Sequence, residues 1–326
     1  MPMEAAGSLT SRENLRVTVL GAGTMGAQIA LSLALGHADV RLWARRKESL
    51  EEAMIRIDAA IDTLADNGLA PPDAKSAIFP RILPVFDFDH AISGRAFIIE
   101  AIAEDLSQKQ AVLQRAESDN DAVLSSTTSA ISPTDLQSQL REPRRFCVAH
   151  FAQPAHLVQI VEVVPGRQTS EETTEFTVNL LDRIGKTPVL CPDIPGFLWA
   201  RIQHAVLREF VSLVGKGLVT PQACDKILKQ GYASRLPAMG AFEHADLAGF
   251  DLMNSAAAKA VWADLSNASD PAETPLGKLF AEGHLGMKSG SGFYEWDRKD
   301  VVAFEQQRDQ EIIRRTKLQR GGEVVL

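Results

Sequence analysis

The chain has 326 residues, 45 % hydrophobic and 23 % charged, with 42 acidic against 34 basic side chains and a formal net charge of −8. That length holds one large or two ordinary domains, and the acidic balance argues against a nucleic-acid partner, because phosphate binding needs a basic face. Cys147, Cys191 and Cys224 are odd in number, widely spaced and form no C-x-x-C. Neither a disulfide framework nor a metal site is therefore expected, and a reducing cytoplasm is.

Residues 1–14 lack the apolar core of a signal peptide and are expected to be a flexible leader. Leu15–Leu20 is a short apolar run without helical period, as in a strand buried in a parallel sheet. Gly21, Gly23 and Gly26 follow at G-x-G-x-x-G spacing. The first glycine permits a tight turn, the second lets a pyrophosphate approach the backbone, and the third lets the helix pack on the strand. Thr24 and Met25 open that helix, whose free N–H groups would hold phosphates. Val17–Gly36 is uncharged, but its glycines and the strand-to-helix switch speak against a membrane span.

The second strand ends at Ala44, Arg45 and Arg46, about twenty residues beyond the glycines, where an NAD site places an acid for the ribose hydroxyls. Two guanidiniums there suit a 2′-phosphate, so NADP is favoured over NAD on these residues.

Glu48–Asn67 has helical periodicity, broken by Pro71–Pro72. Ala96–Ala101 reads as a buried strand, Ser107–Glu117 as a polar helix, and Ala122–Ser125 as a strand running into the hydroxyl cluster SSTTSA. Phe146–Phe151 and Val158–Val164 are two further strands. This alternation predicts an α/β, Rossmann-like domain with a mostly parallel sheet over 15–193. From residue 194 helices dominate, so an all-α domain is expected over 194–326, with Asp193–Gly196 as the boundary. Phe197–Val214 is amphipathic, and Thr220–Pro221 starts another helix as N-cap and first-turn proline.

The chemistry concentrates in FCVAHFAQPAHLVQIVEVV, residues 146–164. Glu162 stands among apolar neighbours, and a buried acid there is costly unless paired. Its available partners are His150 and His156. A carboxylate beside an imidazole fixes its tautomer and makes a base able to take a hydroxyl proton. The competing reading is a purely structural buried pair.

In order along the chain, VLGAGTMGAQIA, IIEAIAEDLSQK, SSTTSAIS, AHFAQP with VEVVPG, DIPGFLWARI, RLPAMGAFEHADLAGFD and GMKSGSGFYEW resemble the L-3-hydroxyacyl-CoA dehydrogenase family. Carnitine dehydrogenase, L-gulonate dehydrogenase and lambda-crystallin are related to it. The resemblance implies oxidation of a secondary alcohol to a ketone with hydride transfer to NAD(P), NAD being the family's cofactor. It also implies a substrate between the domains and a homodimer formed through the helical domain. Carried over by position, His150 is the base, Glu162 its orienting carboxylate, and Ser129 the contact to substrate oxygen and nicotinamide. Glu104 and Lys109 match a polar pair near the nicotinamide ribose. Glu243, His244 and Trp296 read as structural.

Three departures stand out. Ala200 replaces the family asparagine that helps polarise the substrate carbonyl, a loss of about a hundredfold in rate if nothing replaces the donor. Gln153 replaces another asparagine with its amide kept. Lys47–Lys75, where family members hold CoA phosphates with lysines, is acidic overall and has only Lys47, Arg56 and Lys75 as cations. A free 3-hydroxy or keto acid therefore rivals the 3-hydroxyacyl-CoA as substrate. Two rivals remain at this point: a crystallin-like dinucleotide-binding protein without activity, and a dehydrogenase using lysine as acid/base.

Overall fold

The computed structural model describes residues 15–117 and 121–319; the expected leader lies outside them. Eight strands, β1 (Arg16–Leu20), β2 (Asp39–Trp43), β3 (Ile82–Val85), β4 (Phe97–Glu100), β5 (Val123–Ser126), β6 (Phe146–Phe151), β7 (Ile160–Pro165) and β8 (Thr187–Leu190), form one sheet in the order β3-β2-β1-β4-β5-β6-β7-β8. Every neighbouring pair is parallel except β6 with β7. The mostly parallel Rossmann-like sheet is thus present, and its strand order reverses between β1 and β4. Open α/β sheets bind ligands outside the carboxyl ends of the strands at such a switch.

Alternation along the buried strands feeds two apolar layers. Phe97 and Ile99 join the layer that holds helix α1 (Thr24–Leu35) and helix α2 (Lys47–Asp66), whereas Ile98 joins Leu113 of helix α3 (Leu106–Glu117). Gly36 lets the end of α1 close on Ile184, whose Cβ would lie 2.3 Å from any Cβ at that position.

Two strands lie where no element was expected, as does the longest of several helices within 15–193 that the sequence pattern does not show. β3 and β8 are the sheet's edges and carry Pro84 and Pro188. A proline inside a short run reads as loop, yet an edge strand tolerates it because one side of the strand needs no donor. Helix α4 (Glu171–Arg183) buries Thr173 and Thr177 beside Leu180 and Leu181, so half its inward face is polar in sequence. Ser170 caps it, accepting from the Thr173 N–H at 3.2 Å.

The chain divides into two compact units. One runs to Ala200 and includes the chain from Gln307; the other is Arg201–Gln306. The break therefore falls inside helix α5 (Trp199–Gly215), a few residues beyond the 193/194 boundary read from sequence. The end of helix α6 (Val301–Gln319) belongs to the first unit, where Ile313 is buried in the layer with α1.

The second unit is helical. Thr220 caps Pro221–Ile227, accepting from Ala223 N–H at 3.2 Å. Glu243 closes a cap on the Gly240 N–H at 2.6 Å, a structural role. Trp296 packs edge-on against Tyr294 and Phe304, with the Lys299 ammonium over its ring. Among the described residues no helix is long and apolar enough to cross a membrane.

Candidate active site

β6 and β7 form an antiparallel pair in which His150 stands directly opposite Glu162. Twelve residues apart in sequence, the two become cross-strand neighbours. His150 Nδ1 lies 2.7 Å from Glu162 Oε2, and both side chains are buried. An ionised carboxylate only accepts, so Nδ1–H donates and the second ring nitrogen, Nε2, keeps its lone pair. His156, the alternative partner, has a buried Nδ1 without a hydrogen bond. Burial, with Lys186 adding to it, pushes the His156 imidazole down to about 4 against a smaller opposing effect of Asp309.

The other oxygen of Glu162 is equally engaged. Oε1 accepts from the backbone N–H groups of Leu198 at 2.7 Å and Trp199 at 2.9 Å, at the first turn of α5. Burial raises the Glu162 pKa, but His150, Trp199 and Leu198 together outweigh it and hold the carboxyl below its ordinary range. A helix N-terminus adds a favourable field for that negative charge. The turn before α5 makes this possible. Gly196 and Phe197 both adopt left-handed backbone, with φ of 76° and 47°, so the helix starts at Trp199 rather than at Phe197 as the pattern suggested. A non-glycine residue held there is strained. The Phe197 ring is fully buried, its centroid 5.9 Å from that of His150.

The glycine turn lies at the same carboxyl edge of the sheet. Gly21 has φ of 123°, and a Cβ there would meet the Ala101 carbonyl at 2.5 Å. A Cβ on Gly26 would stand 1.8 Å from the Gly21 oxygen, whereas one on Gly23 would meet nothing within 4 Å. The first and third glycines thus serve packing, and the second leaves a cradle open. α1 has no side-chain cap and no acid in its first turn. Exposed Thr24 and half-buried Met25 begin it, and its unpaired N–H groups fit a pyrophosphate. Arg56 of α2 braces the turn, donating to the Ala22 carbonyl at 3.0 Å. At the end of β2, Ala44 is buried while Arg45 and Arg46 are exposed.

Glu104, Lys109 and Ser129 converge as well. Lys109 Nζ lies 3.2 Å from Glu104 Oε2, and Glu104 Oε1 accepts from the Ser129 N–H at 3.2 Å and from the Thr128 hydroxyl. Beneath them sits Glu100, an acid the sequence reading passed over although AFIIEA carries the same signal as IVEVV. Gln153 is exposed. Ala200 is the second residue of α5, and its methyl group offers no donor.

The cations of the segment from Lys47 to Lys75 are mostly engaged within it or with the glycine turn. Arg56 is taken up by Ala22 and Glu52, and Lys75 pairs with Asp58 at 2.7 Å and Asp62 at 3.3 Å. Of the three cations in this segment only Lys47 makes no such pairing.

The model of the 3-hydroxyacyl-CoA dehydrogenase NAD binding domain matches residues 16–194, and that of the 3-hydroxyacyl-CoA dehydrogenase C-terminal domain matches 196–296. A 5-formyl-3-hydroxy-2-methylpyridine 4-carboxylate 5-dehydrogenase of Mesorhizobium japonicum is 30% identical over 310 residues, covering 94% of this chain and 99% of that protein. A probable 3-hydroxybutyryl-CoA dehydrogenase of Deinococcus radiodurans is 31% identical over 284 residues, 86% of this chain and 100% of that one. Among solved structures, that of 5-formyl-3-hydroxy-2-methylpyridine 4-carboxylic acid 5-dehydrogenase, an NAD+ dependent dismutase, is similar with a TM-score of 0.88 and 28% identity, covering 95% of this chain and 100% of that chain. Two family models spanning both halves of the chain decide against an unrelated lysine-based dehydrogenase. The chain is an NAD-dependent oxidoreductase and belongs to the 3-hydroxyacyl-CoA dehydrogenase family.

Proposed function

We propose that the chain oxidises the secondary alcohol of a compact 3-hydroxy acid to the ketone, reversibly, with His150 as the base. The observation that carries this is the 2.7 Å bond from His150 Nδ1 to a Glu162 carboxylate whose other oxygen is held by two backbone N–H groups. His150 Nε2 takes the hydroxyl proton, and Glu162 holds the tautomer and stabilises the imidazolium that forms. Ser129 offers its exposed hydroxyl to the substrate oxygen, and Gln153 and Ala200 border the substrate. The nicotinamide cofactor, held by Gly21, Gly23, Thr24, Met25 and Gly26, supplies the hydride acceptor. The proton and hydride leave the same CH–OH group, so the reaction balances without a further oxidant.

A free acid is preferred to a CoA thioester because two of the three cations between Lys47 and Lys75 are already neutralised. The Mesorhizobium relative, whose name describes a small carboxylate, supports the same choice. The test is a panel of matched 3-hydroxy acids and their CoA thioesters. We expect kcat/KM for the best free acid to exceed that for its thioester by about tenfold or more, the scale of one lost charge-assisted contact. A preference of that size for the thioester would overturn the substrate reading.

Arg45 and Arg46 enter the proposal as contacts to a 2′-phosphate, so NADP(H) is accepted alongside NAD(H). Arg45→Ala is expected to weaken NADPH binding about tenfold and NADH binding by less than about twofold. Equal losses for both, measured by fluorescence titration, would refute it.

A homodimer is proposed through the helical unit. Phe242, Leu247, Phe250, Trp262 and Phe280 are exposed there, Phe242 at 90% and Trp262 at 78%. Such an apolar surface suits a second copy. Light scattering should give twice the chain mass, and a monomer at micromolar concentration would remove the proposal. Three unpaired, buried cysteines support a cytoplasmic location.

A further inference from the structure

We propose that Glu100 is a charge-setting residue of the cofactor site: with Glu104 and Lys109 it builds a fixed net negative cluster that makes the site prefer the oxidised nicotinamide over the reduced one. The inference rests on the glycine turn being the cofactor site.

Glu100 is the last residue of β4, paired in register with Leu20 on one side and Ser126 on the other. It therefore sits at the strand-order switch, opposite the residue that precedes Gly21 on one neighbour and opposite a member of the hydroxyl cluster on the other. Its side chain is 0% exposed, and that of Lys109 is 1% exposed. Lys109 Nζ reaches both carboxylate oxygens of Glu100, at 2.8 and 3.0 Å. The Ile102 N–H donates to Oε1 and the Ser126 hydroxyl to Oε2, each at 2.6 Å. Three donor groups make four contacts on the two oxygens, the ammonium of Lys109 among them, and this ion-pair geometry favours the carboxylate form. Burial is the largest influence and leaves the Glu100 pKa above the ordinary carboxylate range, while the Lys109 ammonium and then Ser126 and Ile102 pull it back toward the ionised form.

Neutralising one buried ammonium needs one carboxylate, and this site has two. Glu104 lies on the open side of Lys109 and is partly exposed. Two carboxylates and one ammonium leave one negative charge, fixed at the carboxyl edge of β4. A buried ion pair is a poor source of stability compared with apolar packing. Its position at the ligand crevice gives it another use. Oxidised nicotinamide carries a ring charge that reduction removes, so a fixed negative charge beside the crevice stabilises the oxidised form selectively. Glu104 also ties the loop of Ser129 to this cluster through the Ser129 N–H.

The test is the affinity of NAD+ and NADH for the full-length protein, by calorimetry or fluorescence, before and after Glu100→Gln. The amide keeps the shape and removes the charge. The ratio of Kd for NAD+ to Kd for NADH is expected to rise about threefold to tenfold, a scale set by one charge acting across a partly screened site. A residue with only a structural role would weaken both forms alike, and an unchanged ratio overturns the proposal. Should Glu100→Gln fail to fold, Glu104→Gln removes the same unit of charge from a partly exposed position and must move the ratio in the same direction. Wild-type protein that binds neither form would overturn the cofactor reading itself, whereas binding with an unmoved ratio overturns only the role of Glu100.

Discussion

Replacing His150 by alanine is expected to lower kcat by about 10²–10⁴-fold while the Kd for the nicotinamide cofactor changes by less than about twofold. The imidazole is buried in the hairpin of β6 and β7, and no described neighbour is placed to substitute for its Nε2. His156 cannot do so, because its Nδ1 is buried without a partner and burial pushes its imidazole down to about 4. The glycine turn is built by β1, α1 and the Ala101 carbonyl, whereas His150 is carried by β6. Steady-state turnover and a cofactor titration on the same preparation check both halves. Near-normal turnover in the variant would remove His150 from the chemistry.

Glu162→Gln should come close to the same loss, about 10³–10⁴-fold in kcat, by a different route. The Leu198 and Trp199 N–H groups will hold the amide oxygen where Glu162 Oε1 now lies. That leaves the amide nitrogen facing His150 Nδ1 at the present 2.7 Å. An NH₂ group can only donate there, so Nδ1 must accept and the ring proton moves to Nε2. The nitrogen that should take the substrate proton then already carries one. Glu162→Asp, which retains the charge but withdraws it by one methylene, should recover part of the activity.

Much of the site is legible in the residues themselves. The G-x-G-x-x-G run shows its strand and helix by composition, and an acid inside IVEVV shows its need for a partner. Choosing His150 over His156 needs register, because the β6–β7 pairing places residue 150 and not 156 opposite residue 162. Glu100 satisfies the same rule as Glu162, yet its partner Lys109 reads as part of a polar helix face, so the pair is visible only once β4 and α3 pack. The donors on Glu162 Oε1 are backbone N–H groups, which no sequence pattern displays. They depend on Phe197 occupying a left-handed conformation that favours glycine. β3 and β8 escape notice because a proline in an edge strand looks like a proline in a loop, and α4 because threonines fill half its buried face. The boundary inside α5 is hidden for the opposite reason: the helix pattern runs on unbroken while the units change.

The most direct measurement is a double-mutant cycle on single-turnover hydride transfer, comparing His150→Ala, Glu162→Gln and the two together. If the carboxylate works only through the imidazole, the double variant will be no slower than His150→Ala alone. Losses that multiply instead would show the two groups acting independently, contrary to the account.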